Sequence, residues 1–336
     1  MRIVVPAGGI GGARFLRGVR AAAPEAGITV VGNTGDDITL HGLRVCPDLD
    51  TVMYTLGGGI AEDRGWGRAD ESFVVKEELG AYGVEPRWFG LGDRDLATHL
   101  VRTQMLAAGY PLSQVTTALC ARWGLPDQGV HLLPMTDDRV ETHVVIEDEQ
   151  GRRAVHFQEY WVRYRAAPPV RAVVPVGAED ARPAPGVLDA VAAADVVLLA
   201  PSNPVVSIGT ILAVPGIADA LRAAAAPVVG LSPIVAGAPV RGMADKLLPA
   251  VGVEAGADAV ALHYGARREG GLLDAWLVDE RDAAAVDAVE AAGIACRAVP
   301  LMMRDVAATA AMARAALALA AELRTGSGSG SGSDNG

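Results

Sequence analysis

The sequence predicts an α/β fold in which a mostly parallel sheet carries helices on both faces. The first observation is the order of elements near the N-terminus: an apolar segment at residues 3–6, a glycine-rich turn, a helix from residue 13 to about 22, and an apolar segment at residues 28–31. The second is the return of the same alternation after residue 187. Because crossover helices alternate with buried parallel strands in such sheets, both observations favour a Rossmann-like architecture.

The middle of the chain, residues 70–176, interrupts this alternation and predicts a helical and antiparallel β-hairpin region inserted into the sheet or packed on it. Its first half has apolar residues three and four apart, the spacing of amphipathic helices. Residues 142–146 and 154–157 are strand-like and enclose a polar stretch, which predicts a hairpin with a turn that contains Gly151. One predicted apolar helix face consists of Leu96, Leu100, Met105 and Leu106.

The second half of the chain completes the predicted sheet. A strand at residues 172–176 contains Pro175, which favours an edge position because proline cannot donate to the ladder. The remaining predicted elements are a helix at 187–194, strands at 195–200, 228–231, 275–278 and 296–299, and a final helix from about 305 to 323. Residues 1–323 are therefore expected to form a single domain, and residues 324–336 a flexible Gly/Ser tail.

Composition excludes several classes of function. The 336 residues carry a net charge of −11 without a basic stripe, so nucleic acid is not an expected partner. Three widely spaced cysteines form no CxxC pair, which disfavours zinc ribbons and fits a reducing cytoplasm. Apolar stretches are broken by Asp, Arg and Pro and no signal peptide is recognisable, so no membrane association is expected.

A glycine-dense loop, residues 8–14, follows the first predicted strand. Glycines allow close approach of the backbone to an anion, and the next helix offers unpaired N–H groups. The Walker pattern is absent, and Arg14 occupies the third glycine position of the dinucleotide fingerprint. The second strand also ends at Asn33 rather than at an acidic residue. We expect phosphate binding here, with Arg14 as a bidentate contact, although a tight turn without a ligand would use similar residues.

Four aspartates follow between residues 36 and 50: Asp36, Asp37, Asp48 and Asp50. Carboxylates gathered beside an anion-binding loop repel one another unless a cation or a proton is shared. Mg²⁺ prefers oxygen ligands and commonly bridges one or two carboxylates to substrate phosphates. For any single aspartate, turn or capping chemistry remains an alternative, but the set of four predicts metal or substrate contact.

A third polar loop, with Ser202, Asn203 and Ser207, comes directly after the strand at residues 195–200. Open α/β sheets bind ligands beyond the carboxyl ends of their strands, so these side chains are expected to face a ligand. Capping of the next helix by Ser202 or Ser207 is a compatible alternative. The six histidines have no metal-binding spacing, so we expect His99 to be a packing or hydrogen-bonding residue.

Taken together, these motifs resemble the 2-phospho-L-lactate transferase family of coenzyme F-420 biosynthesis. Trp66, Gly90 and Cys46 make the chain most similar to the actinobacterial branch, the phosphoenolpyruvate transferases. The resemblance covers about residues 1–322. Its matching segments are residues 8–14, 32–37, 47–51, 91–99, 133–138, 156–163, 201–209 and 232–234.

The resemblance implies a reaction. The enzyme would move a phosphoenolpyruvyl or 2-phospho-L-lactyl group from a guanosine diphosphate ester to the ribityl hydroxyl of the deazaflavin Fo. GMP would be released, and the product would be dehydro-F-420-0 or F-420-0. The resemblance also implies Mg²⁺ as cofactor, a homodimer and a cytoplasmic location.

Site roles follow from the motifs and the resemblance together. Asp50 and Asp37 are the expected catalytic residues. Metal ligands are expected to be Asp37 and Asp50, with Asp36 or Asp48 as alternatives, and Asp50 is also the candidate to orient or deprotonate the Fo hydroxyl. Nucleotide-binding residues are expected to be Gly9, Gly11, Gly12, Arg14, Ser202, Asn203 and Ser207. Fo-binding residues are expected to be Asp50, Thr51, Trp66, Gly90, Leu91, Gly92, Asp93 and Met135.

Two other classes of function compete with this interpretation. A nucleotide-sugar-binding regulatory protein without catalysis would share the glycine loop, but it should lack the Trp66 loop and the aromatic segment at residues 156–163. An NAD-dependent oxidoreductase is disfavoured by the broken fingerprint. No sequence feature distinguishes an enolpyruvyl donor from a lactyl donor.

Overall fold

The computed structural model describes residues 1–327 of the 336. The strands in chain order are β1 (Arg2–Ala7), β2 (Gly27–Gly32), β3 (Ile38–Leu40), β4 (Leu43–Val45), β5 (Val130–Pro134), β6 (Glu141–Asp148), β7 (Gly151–His156), β8 (Val170–Val176), β9 (Val196–Leu199), β10 (Val228–Leu231), β11 (Ile234–Val235), β12 (Ala238–Pro239), β13 (Ala275–Val278) and β14 (Ala295–Ala298). The helices are α1 (Gly9–Ala22), α2 (Pro47–Leu56), α3 (Val74–Ala81), α4 (Asp93–Ala107), α5 (Leu112–Arg122), α6 (Val187–Ala192), α7 (Thr210–Ala213), α8 (Ile217–Ala223), α9 (Ala244–Leu247), α10 (Ala257–Tyr264), α11 (Val286–Ala291) and α12 (Val306–Ser327).

Seven parallel strands form the main sheet, in the order β5-β2-β1-β9-β10-β13-β14. Numbered by their order along the chain, these strands run 3-2-1-4-5-6-7, which is the Rossmann order with one strand added. The strand order therefore reverses between β1 and β9. Such a reversal opens a crevice at the carboxyl ends of the two strands, where open α/β sheets bind ligands. The predicted Rossmann-like fold class is confirmed.

Alternate residues of the central strands enter two separate hydrophobic cores. Val4 and Val197 lie in one core, which α8, α10 and α11 cover. Ile3, Val5 and Leu198 lie in the other, which α1, α2, α5 and α12 cover. Because side chains alternate across a strand, this sheet buries both faces, as parallel sheets do. The prediction of helices on both faces is thus confirmed.

Residues 70–176 contribute one strand to the main sheet and also form a separate small sheet. The strand β5 lies within residues 70–176 yet pairs with β2 at the edge of the main sheet, which the sequence analysis did not predict. The rest of the region holds α3, α4 and α5 and a separate antiparallel sheet, β7-β6-β8. The hairpin of β6 and β7 matches the prediction, with Asp148 paired to Gly151 across the turn. Pro175 lies on β8, an edge strand of this small sheet, as expected.

Two local predictions need correction. The helix α1 begins at Gly9 rather than Ala13, so the glycines lie inside its first turn. The apolar face predicted for α4 is wrong at Leu100, which is 47% exposed. The residues that α4 buries are instead polar: Thr98, His99 and Arg102. A charged partner on α2, described below, explains this burial.

The last helix, α12, is apolar and long enough to cross a membrane by length and composition alone. It packs along α1 and places Met312, Ala313 and Ala316 in the core of the main sheet, which accounts for its apolar character. It extends to Ser327 and so includes the first residues of the predicted tail. The rest of that tail, residues 328–336, lies outside the described residues.

Candidate active site

The carboxyl ends of β1 and β9 meet at the strand-order reversal through Gly8 and Ser202. The hydroxyl of Ser202 accepts a hydrogen bond from the Gly8 N–H at 3.1 Å and donates one to the Gly8 carbonyl at 2.8 Å. The structure thus brings together the glycine loop and the third polar loop, which are separated by nearly 200 residues of chain. This contact marks the crevice in which the sheet can bind a ligand.

Most of the glycines in this loop are required by packing. A Cβ atom at Gly8 would lie 2.5 Å from Asp48 Oδ2, one at Gly11 would lie 2.9 Å from the Pro201 carbonyl, and one at Gly12 would lie 2.6 Å from Ser202 Oγ. Gly9 has a positive φ of 63°. Close approach of protein atoms therefore accounts for the glycines without a ligand, while the N-terminus of α1 still faces the crevice.

The other two residues of the third loop have structural partners too. Asn203 Oδ1 accepts hydrogen bonds from the N–H groups of Val205 and Val206, at 2.9 and 3.2 Å. It therefore caps the helical turn Pro204–Gly209. Ser207 is buried, with its side chain directly against Gly8. Asn203 is therefore the capping residue, whereas Ser202 and Ser207 were the residues predicted as possible caps.

Asp48, in the first turn of α2, lies against the N-terminus of α1. Its carboxylate accepts hydrogen bonds from the Gly9 N–H and from Asn33 Nδ2, the latter at 3.0 Å. Asn33 is therefore placed to hold Asp48, where a dinucleotide-binding fold would present an acidic side chain to a ribose. Burial raises the pKa of Asp48 to about 6 despite these hydrogen bonds. Asp48 thus supplies the first anion at this helix N-terminus.

Asp36 is buried beside Asp48 with no cationic side chain as a partner among residues 1–327. Its Oδ1 atom is buried without a hydrogen bond. Burial, followed by the charge of Asp48, raises the pKa of Asp36 well above its ordinary value. Two negative charges on Asp36 and Asp48 would therefore repel each other at a high cost in free energy unless a proton or a cation is bound.

Asp37 lies in a third environment. Its Oδ2 atom accepts hydrogen bonds from Arg44 Nη2 at 2.9 Å and from Cys46 Sγ at 2.9 Å, while Oδ1 has no partner. The backbone carbonyl of Asp37 accepts a hydrogen bond from His156 Nε2 at 3.1 Å, which anchors the loop to the small sheet. Burial raises the pKa of Asp37 to about 6, although the neighbouring Arg44 opposes this rise.

Asp50, two residues after Asp48 in the first turn of α2, belongs to a buried network that sequence reasoning missed. One of its oxygens forms an ion pair with Arg102, and the other, Oδ2, lies 3.7 Å from His99 Nδ1 without a hydrogen bond. Nε2 of His99 lies 3.4 Å from Asp95, which accepts a 2.5 Å hydrogen bond from the Tyr54 hydroxyl. Burial raises the pKa of Asp50, and Arg102 and His99 counteract part of the rise.

The network also determines the tautomer of His99. Arg102 Nη1 lies 3.1 Å from His99 Nδ1, and a guanidinium can only donate. Nδ1 therefore accepts, and the ring proton sits on Nε2, which faces Asp95. The chain of contacts from Tyr54 through Asp95 and His99 holds Arg102 in place, and Arg102 holds Asp50. The spacing Asp95–His99–Arg102, at i, i+4 and i+7 on one helix face, was the sequence signal for this network.

A small cavity opens at Asp50. The predicted Fo-binding residues Thr51, Trp66 and Gly90 line it together with Asp50. Trp66 is 44% exposed, so its ring is available at the cavity mouth. Side chains that line the cavity but were not predicted include Tyr54, Phe89, Asp95 and His99.

The other predicted Fo-binding residues are not among the residues that line this cavity, and each has a structural contact. Leu91 packs with Leu40 and Val45, and Met135 is fully buried in a core of the main sheet. Gly92 is in close contact with Glu71, whose carboxylate accepts hydrogen bonds from the first N–H groups of α4. Asp93 accepts hydrogen bonds from Ser72 Oγ at 2.7 Å and from the Val74 and Val75 N–H groups, so it caps α3.

The carboxylates fit a divalent cation in part. Three predicted ligands each have one buried oxygen without a hydrogen-bond partner in the described part of the chain: Asp36 Oδ1, Asp37 Oδ1 and Asp50 Oδ2. An unpaired buried carboxylate oxygen is costly, and a hard cation would satisfy it. Asp48, by contrast, has its hydrogen bonds from Asn33 and Gly9.

The described residues contain one group of three ligand atoms within 4.8 Å, and it is formed by Asp50, Asp95 and His99. Arg102 forms an ion pair with Asp50 there and contacts His99 Nδ1, which disfavours a cation held by all three of these residues together. The four predicted aspartates do not form such a group. One or two of their carboxylates would suffice for Mg²⁺ that is shared with a phosphate.

Comparisons with known proteins agree with this architecture. Residues 3–304 match the family described as 2-phospho-L-lactate transferase CofD. A phosphoenolpyruvate transferase of Streptomyces griseus is 72% identical over 94% of this chain and 96% of its own length. Those of Thermobifida fusca and Mycobacterium sp. strain KMS are 66% and 59% identical, over 93% and 94% of this chain and 96% and 97% of their own.

A crystal structure of a UPF0052 family protein from Bacillus halodurans shares the fold. It has a TM-score of 0.63 at 17% identity and covers 94% of this chain and 98% of its own. A likeness at that identity supports the architecture alone. The family match and the high-identity relatives go further: this chain belongs to the 2-phospho-L-lactate transferase CofD family.

Proposed function

We propose that this protein transfers a phosphoenolpyruvyl group from a guanosine diphosphate ester to the ribityl hydroxyl of the deazaflavin Fo and releases GMP. The 2-phospho-L-lactyl group is the alternative cargo. The names of the relatives favour the enolpyruvyl donor, since the high-identity proteins are phosphoenolpyruvate transferases. The product would be dehydro-F-420-0, or F-420-0 from the lactyl donor.

One observation carries the proposal: the first turn of α2 joins the two halves of the site. Asp48 lies at the glycine loop, and Asp50 lies at the cavity beside Trp66. Two residues apart in a helix, their Cα atoms are about 5 Å from each other. A diphosphate at the strand-order reversal and a hydroxyl in the cavity would therefore come within reach of one another.

Chemically, the reaction needs positioning and charge neutralisation more than a covalent intermediate. The hydroxyl oxygen of Fo forms a bond to the distal phosphorus, and the bond from that phosphorus to the GMP oxygen breaks. Oδ2 of Asp50 has no hydrogen bond within the described structure, so it is available to orient the hydroxyl and accept its proton. Arg102 holds the other oxygen of the same carboxylate, and His99 Nδ1 lies 3.7 Å from Oδ2 without a hydrogen bond.

For the cofactor, we propose Mg²⁺ held by Asp37 and Asp50, with Asp36 as the alternative to one of them. The cation would neutralise charge on the diphosphate oxygens. A carboxylate that binds a metal is a poor base, so the roles of Asp50 as ligand and as base compete. Asp48, the other alternative, is the weaker candidate because its carboxylate accepts hydrogen bonds from Asn33 and Gly9.

The nucleotide would lie at the crevice between β1 and β9. Its proposed contacts are the N–H groups of the first turn of α1, at Gly11 and Gly12, together with Ser202. The residues Gly9, Asn203 and Ser207 would shape this crevice through the packing described above. The Fo ring would stack on Trp66 beside Gly90.

The decisive experiment is to incubate the protein with Mg²⁺, Fo and each guanosine diphosphate ester and to measure GMP. Release of GMP that requires Fo supports the transferase. Binding of the ester without GMP release would contradict it and favour a regulatory nucleotide-binding protein. The mass of the product then identifies the donor, because the enolpyruvyl and lactyl products differ by two hydrogens. The oligomeric state, which we expect to be a homodimer, is measured in the same preparation by light scattering.

A further inference from the structure

Two arginines beside the glycine loop, Arg14 of α1 and Arg241 after β12, have no hydrogen-bond or ion-pair partner among residues 1–327. Their guanidinium groups are close enough that Arg241 lowers the pKa of Arg14, after the larger effect of burial. The neighbouring Arg17 differs from both, because it forms an ion pair with Glu62. Glu62, the carboxylate whose charge raises the pKa of Arg14, is therefore already paired with Arg17.

The position of the pair is defined by the loop that carries Trp66. A Cβ atom at Gly65 would lie 2.6 Å from Arg241 Nη1 and 3.1 Å from the side chain of Ile10, so Arg241 and α1 both pack under this loop. Arg14 lies one turn after Ile10 on the same helix face. The side chains of a helix lean towards its N-terminus, which for α1 is the end at the crevice. The next residue of the loop, Trp66, lines the Asp50 cavity.

There is room for a ligand at Arg14. A groove of about 350 Å³ runs between α1 and the start of α12, and its lining includes Arg14, Arg17 and Arg304. The acidic residues in its lining are Glu62, which is paired with Arg17, and Asp305, which caps α12 through the Ala308 N–H. The groove is thus cationic in a chain whose net charge is −11.

The donor of the proposed reaction has two anionic parts, a diphosphate and the carboxylate of its three-carbon acid. The diphosphate has the N-terminus of α1 and the proposed cation as partners. The carboxylate cannot enter the Asp50 cavity without repulsion from Asp50 and Asp95, which line it. A pair of unpartnered guanidinium groups on the other side of the Trp66 loop is suited to it, since the guanidinium fork matches a carboxylate.

We propose, on the basis of the proposed function, that Arg14 and Arg241 bind the carboxylate of the donor's three-carbon acid. Arg14 then recognises the acid rather than the diphosphate, which changes the role expected from the sequence. Arg241 becomes a specificity-determining residue, although nothing in the sequence patterns pointed to it.

The test compares two esters of guanosine diphosphate that differ only at this group: the lactyl ester and the 2-propyl ester, in which a methyl replaces the carboxylate. Their Kd values are measured by calorimetry with Mg²⁺ and without Fo, so no turnover occurs. We expect the wild-type protein to bind the lactyl ester about 10- to 100-fold more tightly. Arg241→Ala should lose at least about tenfold of this preference while its Kd for GDP stays within about twofold.

Two further variants complete the design. Arg241→Lys retains the charge without the fork and should keep part of the preference. Arg20→Ala, on the same helix but bonded only to the Pro24 carbonyl, should keep all of it. Equal weakening of both esters and of GDP in Arg241→Ala would overturn the proposal, because the pair would then hold the diphosphate. Equal binding of the two esters by the wild-type protein would also overturn it.

The ester preference can be measured whether or not the protein proves to be a transferase. If adding Fo produces no GMP from any donor, the transferase proposal fails. The preference for the lactyl over the 2-propyl ester is still measured, and it still decides the role of the arginine pair.

Discussion

Asp50 and the pair formed by Asp36 and Asp48 are buried carboxylates from the same 15 residues of chain, yet their surroundings differ. Asp50 faces Arg102 and His99, two side chains that α4 supplies. Asp36 and Asp48 face Asn33, the Gly9 N–H and each other. Asp50 therefore has a cationic partner, whereas Asp36 and Asp48 have none among the described residues.

This difference separates two uses of a buried acid. A carboxylate held by a guanidinium is fixed in direction, which suits orientation of a hydroxyl. Two carboxylates without a cationic partner favour taking up a proton or a cation. Four predictions test this contrast and the assignments of residues to the site.

The largest expected effect is on catalysis at Asp50. Asp50→Asn keeps an acceptor for Arg102 but removes the charge and the base, so kcat should fall by about 10²- to 10⁴-fold. GMP release under saturating Fo and donor is the measurement. Turnover near the wild-type value would show that Asp50 has neither proposed role.

The next effect is on stability at Arg102. Arg102→Met leaves Asp50 buried and unpaired, and should lower the free energy of unfolding by about 3–5 kcal/mol. Chemical denaturation measures it. The double variant Arg102→Met with Asp50→Asn should recover most of the loss, because no uncompensated charge remains. If the single variant were as stable as wild type, the compensation described for Asp50 would not exist.

A change of opposite sign is expected at Asp36. Asp36→Asn removes a charge that has no cationic side chain as a partner, so the metal-free protein should gain about 1–2 kcal/mol at pH 7. Stabilisation by Mg²⁺ should shrink in the same variant if Asp36 is a ligand. Thermal melts with and without Mg²⁺ measure both, with the exposed Asp63→Asn as control.

The pH profile gives an independent check of this variant. Because the folded pKa of Asp36 is raised, the folded state binds a proton more tightly than the unfolded state. The metal-free protein should therefore lose stability as pH rises from about 4 through the raised folded value. This loss should be smaller in Asp36→Asn. A steeper loss would contradict the assigned environment.

The smallest effect is expected at Asp93, which the sequence placed at the Fo site and the structure places at the N-terminus of α3. Asp93→Ala should lower the melting temperature slightly through loss of the cap while leaving KM for Fo within about twofold. Trp66→Ala provides the contrast, because it should raise KM for Fo about tenfold or more through loss of ring stacking. Equal effects on KM would restore Asp93 to the Fo site.

Much of the fold was predictable because the pattern of apolar residues over a short stretch of sequence indicates which residues of a strand or helix are buried. The strands β1, β2, β9 and β10 are short apolar runs next to helical patterns, and the structure contains them within a residue or two of their predicted bounds. The strand β5 was missed because its partner, β2, lies about 100 residues earlier and its own sequence has no local alternation. Burial of the polar face of α4 was missed for a related reason, since Asp50 on α2 is what favours it.

For the site, the sequence was enough to identify the groups present: a glycine loop, a set of carboxylates and a polar loop after a strand, a combination typical of phosphate and metal binding. The surroundings of each carboxylate came from the tertiary structure alone. It divided Asp36, Asp37, Asp48 and Asp50 among three environments, brought Arg102 and His99 to Asp50, and brought Arg241 to the loop that carries Trp66. The physical reason is that the charge state of a buried acid depends on its neighbours in space, and chain spacing does not specify those neighbours.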